Sequence, residues 1–401
     1  MTKQKRPVLI AGGGIGGLSA SIALARTGIK TSVLERSAFT EESGAGIQLG
    51  PNATRLLRDM GVLDAIEPAA FKPEAIWLFD GVSGKRLATV PLGDSPEQRY
   101  GAPYLTLHRA DLHSGLHKVA KDLSPVELRS DFEIAQVQAL EDGVAVQNIG
   151  GDSVEGSSLV GADGLWSVVR KPIAPHADLH FAGATASRGL VPTKDLPAPF
   201  SEPVVGLWLG PRSHLVHYPV RRGEALNVVA VTDGGGEAQG WNQSGDAAAL
   251  LSEFTRWCRE SKSLLERVEA WRRWSLYRLP TLSRWSAGAT TLLGDAAHPV
   301  LPFLAQGAAL AIEDAVTLAN SLGALPDDPA AAFRQYEALR RPRATRVQRQ
   351  SRRFGWIYHL SGPARFARNF ALEHRDPGTA LDQFDWLYGA TSDAATAKSN
   401  V

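Results

Sequence analysis

The sequence predicts an α/β protein, in which a Rossmann-like nucleotide-binding domain is interwoven with a β-sheet domain and followed by a helical C-terminal region. Three observations predict it. Strand, glycine turn, helix and second strand follow one another between Val8 and Glu35. Two later strand ends run into short polar turns, at Asp163-Gly164 and at Gly294-Asp295. Between those turns, from 181 to 280, apolar alternation takes over, broken by Gly-Pro and Arg-Gly turns.

The first element is the most specific. "VLIAGGGIGG" and "LSASIALARTG" place Gly12, Gly14 and Gly17 in G-x-G-x-x-G spacing, with Ile15 and Gly16 between them. Gly12 permits the tight turn, Gly14 lets a pyrophosphate reach the backbone amides, and Gly17 lets the helix pack closely. The helix then turns its unpaired N–H groups toward phosphate charge. Glu35 closes the second strand, "TSVLE", eighteen residues after Gly17 and just before Arg36. A carboxylate there suits a ribose diol and repels a 2′-phosphate. The motif does not distinguish FAD from a nicotinamide dinucleotide.

After Glu35 the βαβ alternation stops. "GAGIQLGPNATRLLRDMGV" reads as a glycine-broken strand holding Gly46 and Ile47, then a helix opened by Pro51 with Leu56, Leu57 and Met60 on its apolar face. "AIWLFDGVSGKRLATVPL" and "FEIAQVQALEDGVAVQNI" read as hairpins. "LHRADLHSGLHKVAKDL" reads as a helix with Arg109 at its start. Two helices are expected near 246–259 and 264–271, joined to the sheet by "DGGGEAQGWNQSG" as a surface loop. The seven arginines of 340–353 read as a solvated helix face, and "ATSDAATAKSNV" as a frayed end.

Bulk composition excludes several classes. With 44% apolar and 21% charged residues in 401, the chain has globular composition and ample core. A net charge of +1 supplies no global field for nucleic acid or an anionic membrane. Cys258 is the sole cysteine, which excludes an intramolecular disulfide and a multi-cysteine metal centre; no metal site is expected. Cys258 is read as a small hydrophobe on the helix "SEFTRWCRE". The basic N-terminus precedes an apolar run too short for a signal peptide, and no uninterrupted apolar stretch reaches membrane-spanning length. A cytoplasmic protein, monomeric or homodimeric, is expected.

Together the three turns, with "GAGIQLGPNA", "LHRADL", "GADGLWSVVR", "HYPVRRGEALNVVA" and "FDWLYG", resemble the single-component FAD-dependent aromatic hydroxylases of the para-hydroxybenzoate hydroxylase fold. The likeness covers nearly the whole chain. It implies an FAD-binding domain at 1–72, 98–176 and 281–325, a substrate-binding sheet domain at 73–97 and 177–280, and a helical region at 326–401. It implies FAD as cofactor, NADH or NADPH as transient co-substrate, dioxygen, and a small phenolic or heteroaromatic carboxylate hydroxylated through a flavin C4a-hydroperoxide.

Carried over motif by motif, the resemblance implies the following roles: Gly12, Gly14, Gly17 and Glu35 hold the ADP half, and Arg109 lies along the cofactor's middle. Asp163, beside Gly164, serves flavin and nicotinamide. Asp295, after Gly294, meets the ribityl hydroxyls, for which a carboxylate is better suited than for phosphate. Pro299 and Pro302 stiffen the turn past the ring, Gly307 and Ala308 let backbone approach it, and a helix starting near Ala305 aims its positive end at the flavin. His298 in "GDAAHP" is read as orienting this loop.

The ring to be hydroxylated reacts fastest as a phenolate, so a base is expected near its hydroxyl, inside walls that exclude water. Some family members carry a histidine at the place of Phe303, others a glutamine at the place of Pro302. A histidine and tyrosine four residues apart match His214 and Tyr218 in "SHLVHY". His214 is the expected base or hydroxyl anchor and Tyr218 the orienting group, with His217 on the opposite face of the strand. Arg188 is a candidate for a substrate carboxylate or, equally, for a structural ion pair; Pro302 and Phe303 are expected to border the substrate. A flavin-dependent reductase or dehydrogenase, or a flavin-free escort protein for prenylated GTPases, remains open on the same architecture.

Overall fold

The computed structural model describes residues 6–39, 45–237 and 243–390. The basic start of the N-terminal segment, the centre of the glycine-rich loop after Asp233 and the end expected to fray lie outside the described residues.

A six-stranded sheet carries the nucleotide end, in the order Ser286–Ala287, Thr290–Leu292, Ser158–Gly161, Val8–Ala11, Thr31–Leu34, Val126–Arg129. Its five longer strands are parallel, and Val8–Ala11, Thr31–Leu34 and Ser158–Gly161 are buried at every position. That burial is why they read as continuous apolar runs rather than alternation. The three turns seen in the sequence follow Ala11, Gly161 and Leu292, which are neighbouring strand ends on one sheet edge.

An eight-stranded sheet forms the other half. The hairpin Ala75–Asp80 and Arg86–Pro91 joins it far out of sequence order, Ala75–Asp80 pairing in parallel with Val204–Gly210. Strand Ser213–Val220 lies between Val204–Gly210 and Ala225–Asp233. Its back face, through Leu215 and His217, meets Phe200, Trp208 and the helices Ala247–Glu253 and Arg259–Glu266.

Two local readings need correction. The second helix is Arg259–Glu266, not 264–271, because the chain must leave it by Arg267 to pair residues 272–278 with His180–Pro192. Cys258 is not inside a helix: it is the extended N-cap between the two, half-buried, and burial pushes its thiol upward, as expected of an inert sulfur.

The third correction concerns the arginine run. Helix Pro329–Tyr358 buries Phe333, Tyr336, Arg340, Ala344, Val347 and Ser351 on one stripe. Arg340 therefore points inward, onto Asp314 at 2.7 Å and Glu313 at 2.8 Å, while Arg343 grips Glu313 at 2.5 and 2.6 Å. Arg346, Arg349, Arg352 and Arg353 are exposed, as expected of a solvated face. No described helix is long and apolar enough to cross a membrane.

Candidate active site

The two sheets enclose one long cavity. Its nucleotide-side wall contains Gly14, Ile15, Gly16, Gly46, Ile47, Arg109, Gly164, Gly294, Asp295, Pro302, Gly307 and Ala308. His214, Val216 and Tyr218 project from one strand of the opposite wall, joined by Arg188, Val231 and Trp274. Segments nearly three hundred residues apart thus share a single wall.

The glycines behave as the chemistry requires. A side chain on Gly12 (φ +98°) would collide with Ala162 O at 2.5 Å, and one on Gly17 would sit 1.9 Å from Gly12 O. On Gly14, by contrast, a Cβ would meet nothing within 4 Å, so the space in front of that backbone is open. Gly14 and Gln306 are the N-caps of helices Ile15–Arg26 and Gly307–Ala324, and neither helix start is capped by a side chain. Two helix N-termini with free amides therefore face the same cavity, a setting suited to anionic groups.

Glu35 accepts hydrogen bonds from Gly13 N at 2.6 Å and from Ser37 N and Oγ at 3.1 and 2.9 Å, fixing the first loop. Gly12, Gly17, Glu35, Arg36 and Asp163 do not line the cavity. Arg36 is exposed. Asp163 accepts from Val168 N and Val169 N at 2.7 and 3.1 Å through Oδ2, while its Oδ1 is buried without a partner. Burial raises the carboxyls of Asp163 and Asp295; around Asp295 the charges of His298 and Arg109 counter that rise.

The loop after Leu293 is held from below. Asp314 Oδ2 accepts from Gly294 N at 3.1 Å and bonds His298 Nε2 at 2.6 Å, and the His298 ring packs on Trp285. Helix Pro329–Tyr358 clamps the same loop through Gln348 to Pro299 O (3.0 Å), Ser351 to Leu301 O (2.7 Å) and Tyr358 to Phe303 O (3.3 Å). The helix begins at Gly307, two residues after Ala305, because Ala305 is left-handed (φ +51°) and closes the preceding turn.

That turn also displaces Phe303. Pro302 lines the cavity but Phe303 does not; its ring lies behind His214, 5.4 Å between centroids, and covers Gly355, where a Cβ would be 2.5 Å from it. Phe303 is therefore packing that supports the wall and does not border the cavity. Tyr218 rests on Gly46, whose missing side chain leaves room for the ring (2.5 Å to a Cβ). Gly46 N also donates to Asn227 Oδ1 at 2.7 Å, joining the two walls. Arg188 is buried, 4.9 Å from the Trp274 ring. Burial pushes the Tyr218 phenol up and the His214 imidazole well down, so both are neutral near pH 7.

Comparison with known proteins decides the family. The FAD-binding-domain family model matches residues 5–351. The chain belongs to this FAD-binding family. It is 37% identical to 3-hydroxybenzoate 6-hydroxylase of Polaromonas naphthalenivorans over 96% of both chains. It is 38% identical to 3-amino-4-hydroxybenzoate 2-monooxygenase PtnB3 of Streptomyces platensis over 95% of both. Among solved structures it resembles Klebsiella pneumoniae HpxO complexed with FAD and uric acid, with a TM-score of 0.83, 25% identity, and coverage of 94% of this chain and 95% of that one. The protein is an FAD-dependent aromatic monooxygenase using NAD(P)H and dioxygen, and the reductase and escort readings find no support.

The cavity fits that cofactor: open backbone at Gly14 and two uncapped helix starts suit its anionic groups, and the carboxylate of Asp295 in the wall suits its hydroxyls. Sequence reasoning missed Asn227, the Asn52–Glu313–Asp314–Arg340 cluster, and the pair Asp233–His359 behind His214. Arg340 had left a trace, since it falls on the three- and four-residue spacing of Phe333, Tyr336, Ala344 and Val347. His359, just past a helix end, and Asp233, at a strand end, had left none.

Proposed function

We propose that the protein hydroxylates a benzoate bearing a ring hydroxyl, with His214 removing the phenolic proton, Tyr218 orienting the ring and Arg188 receiving the carboxylate. The observation that carries this reading is the placement of a neutral buried imidazole, a neutral phenol and a buried guanidinium on one cavity wall, facing the flavin cradle. Both named relatives act on hydroxybenzoates, which supports the substrate class.

FAD, when bound, supplies the electrons and the activated oxygen. Gly14 and the N-termini at Ile15 and Gly307 would hold its anionic parts, and Asp295 its ribityl hydroxyls. His214 takes the proton that otherwise keeps the substrate's hydroxyl weakly donating, which raises electron density on the ring. Val216, Val231 and Trp274 keep that chemistry dry. Arg188, 4.9 Å from the Trp274 ring, offers a planar fork to a carboxylate.

The test is a screen of mono-hydroxybenzoates and aminohydroxybenzoates for coupled nicotinamide oxidation, with product and peroxide both quantified. At least one should give hydroxylated product near stoichiometry. Arg188→Met should then raise KM for that benzoate by about 10–100-fold, the cost of losing a charge-assisted hydrogen bond, and leave KM for the matching carboxamide nearly unchanged. Equal losses for acid and amide would remove Arg188 from carboxylate recognition.

A further inference from the structure

Behind His214 the structure holds a chain of hydrogen bonds leading out of the cavity. His214 Nδ1 lies 2.8 Å from His359 Nε2, and His359 Nδ1 lies 2.7 Å from Asp233 Oδ1. His214 is buried in the cavity wall, the His359 side chain is 9% exposed and that of Asp233 38%. Exposure rises along the chain, from the enclosed site to solvent.

The proton positions follow from elementary donor counting. An ionised carboxylate only accepts, so His359 donates its Nδ1–H to Asp233. A neutral His359 then has a bare Nε2, which can only accept, so His214 must donate Nδ1–H to it. His214 is thereby left with a bare Nε2, the nitrogen not used by His359 and the one a base requires. Free imidazole has no such obligation; here an acid on the surface dictates the tautomer of a buried ring two links away.

We propose that Asp233 and His359 are positioning residues that set His214 as a base and carry its proton to solvent. This rests on the role of His214 given above. In the relay, His214 Nε2 forms an N–H bond to the proton released by the substrate hydroxyl. The His214 Nδ1–H bond breaks as its proton passes to His359 Nε2, and the His359 Nδ1–H bond breaks as its proton passes to Asp233. Asp233 then releases a proton to water. One proton enters and one leaves, which leaves both rings in the opposite tautomers; when His214 Nε2–H returns a proton to the product's oxygen, a proton taken up from water through Asp233 passes back along the chain and restores Nδ1–H on both rings.

The surroundings suit the role. Phe303 packs on both rings and Tyr358 on that of His214, and His359 and Asp233 reach the groove outside, whose lining also includes Arg278 and Arg352. Tyr358 spends its hydroxyl on Phe303 O. Arg212 meets the pair only through backbone, its N–H donating to His359 O. None of these groups is interposed between the three.

The first test needs no substrate. Holoenzyme labelled with ¹⁵N-histidine should show His214 at pH 7 as a neutral ring protonated on Nδ1 and bare on Nε2, with His359 the same; His214→Gln and His359→Gln assign the signals. Asp233→Ala should release that preference in both rings. A His214 protonated on Nε2 in the unmodified enzyme overturns the proposal. The second test uses the benzoate found in the screen. Asp233→Asn keeps an acceptor but loses the charge, so it should retain FAD and the tautomer yet slow proton release on substrate binding, and hydroxylation, by about 10–100-fold, with Asp233→Glu restoring most of the rate. Unchanged proton release in Asp233→Asn refutes the relay. Loss of effect in His214→Ala instead refutes the base, a different result from a different variant.

Discussion

Replacing His214 by alanine is expected to lower hydroxylation by about 10²–10⁴-fold, the usual contribution of a positioned general base. FAD content should be unchanged, because His214 belongs to the sheet wall and touches none of the glycine turns. Nicotinamide oxidation should continue, with peroxide replacing hydroxylated product, since reduction of the flavin does not need the phenolate. The direction of the pH effect is also defined. Burial holds His214 well below the ordinary histidine range, so with no substrate bound it takes no proton from solvent near neutrality. In His214→Ala the rate should instead climb as pH approaches the substrate's own phenolic pKa, because only free phenolate then reacts. Measuring product, peroxide and rate from pH 6 to 10 checks this. A variant that hydroxylates like the parent at every pH would end the role assigned to His214.

Arg340→Ala is expected to cost about 3–5 kcal/mol of stability, the range for removing one partner of a buried ion cluster. The variant deprives Asp314, which is fully buried, and Glu313 of one of their paired cations. The damage should reach the cofactor, because Asp314 also holds Gly294 N and His298 in the loop under the cavity. Lower thermal melting together with lower FAD occupancy is the expected pair of results; unchanged melting would mean that Arg343 and His298 suffice. The same cluster predicts an acid limb. Burial by itself would raise the Asp314 carboxyl, but His298 and Arg340 outweigh it and bring it to about 2, below the usual carboxylate range. A depressed carboxyl contributes its stability fully above the unfolded value and loses it as pH falls through the folded one. Asp314 therefore stabilises the fold above about pH 4 and ceases to do so between there and pH 2, a loss that Asp314→Asn should not show.

Much of this protein was legible without coordinates. The glycine spacing at Gly12, Gly14 and Gly17 and the apolar strand before it are local requirements, imposed by backbone sterics and by the charge of a pyrophosphate, so they leave a local pattern. Alternation in "SHLVHY" likewise separated His214 and Tyr218 from His217, because a strand has only two faces. Phe303 was misjudged for the opposite reason. Its direction depends on a left-handed residue two positions later and on a gap at Gly355, and neither constraint is periodic.

The sequence by itself determined the class of cofactor, the strand ends that meet beside the cavity, and which side of one strand faces it. Only tertiary structure decided that Arg340 turns inward, that Asn227 links the two walls at Gly46, and that Asp233 and His359 stand in line behind His214. The physical reason is range. Sterics and periodicity act over a few residues and are written in neighbouring letters, whereas a hydrogen bond between positions 214 and 359 requires only that two surfaces meet, and nothing adjacent to either residue records it.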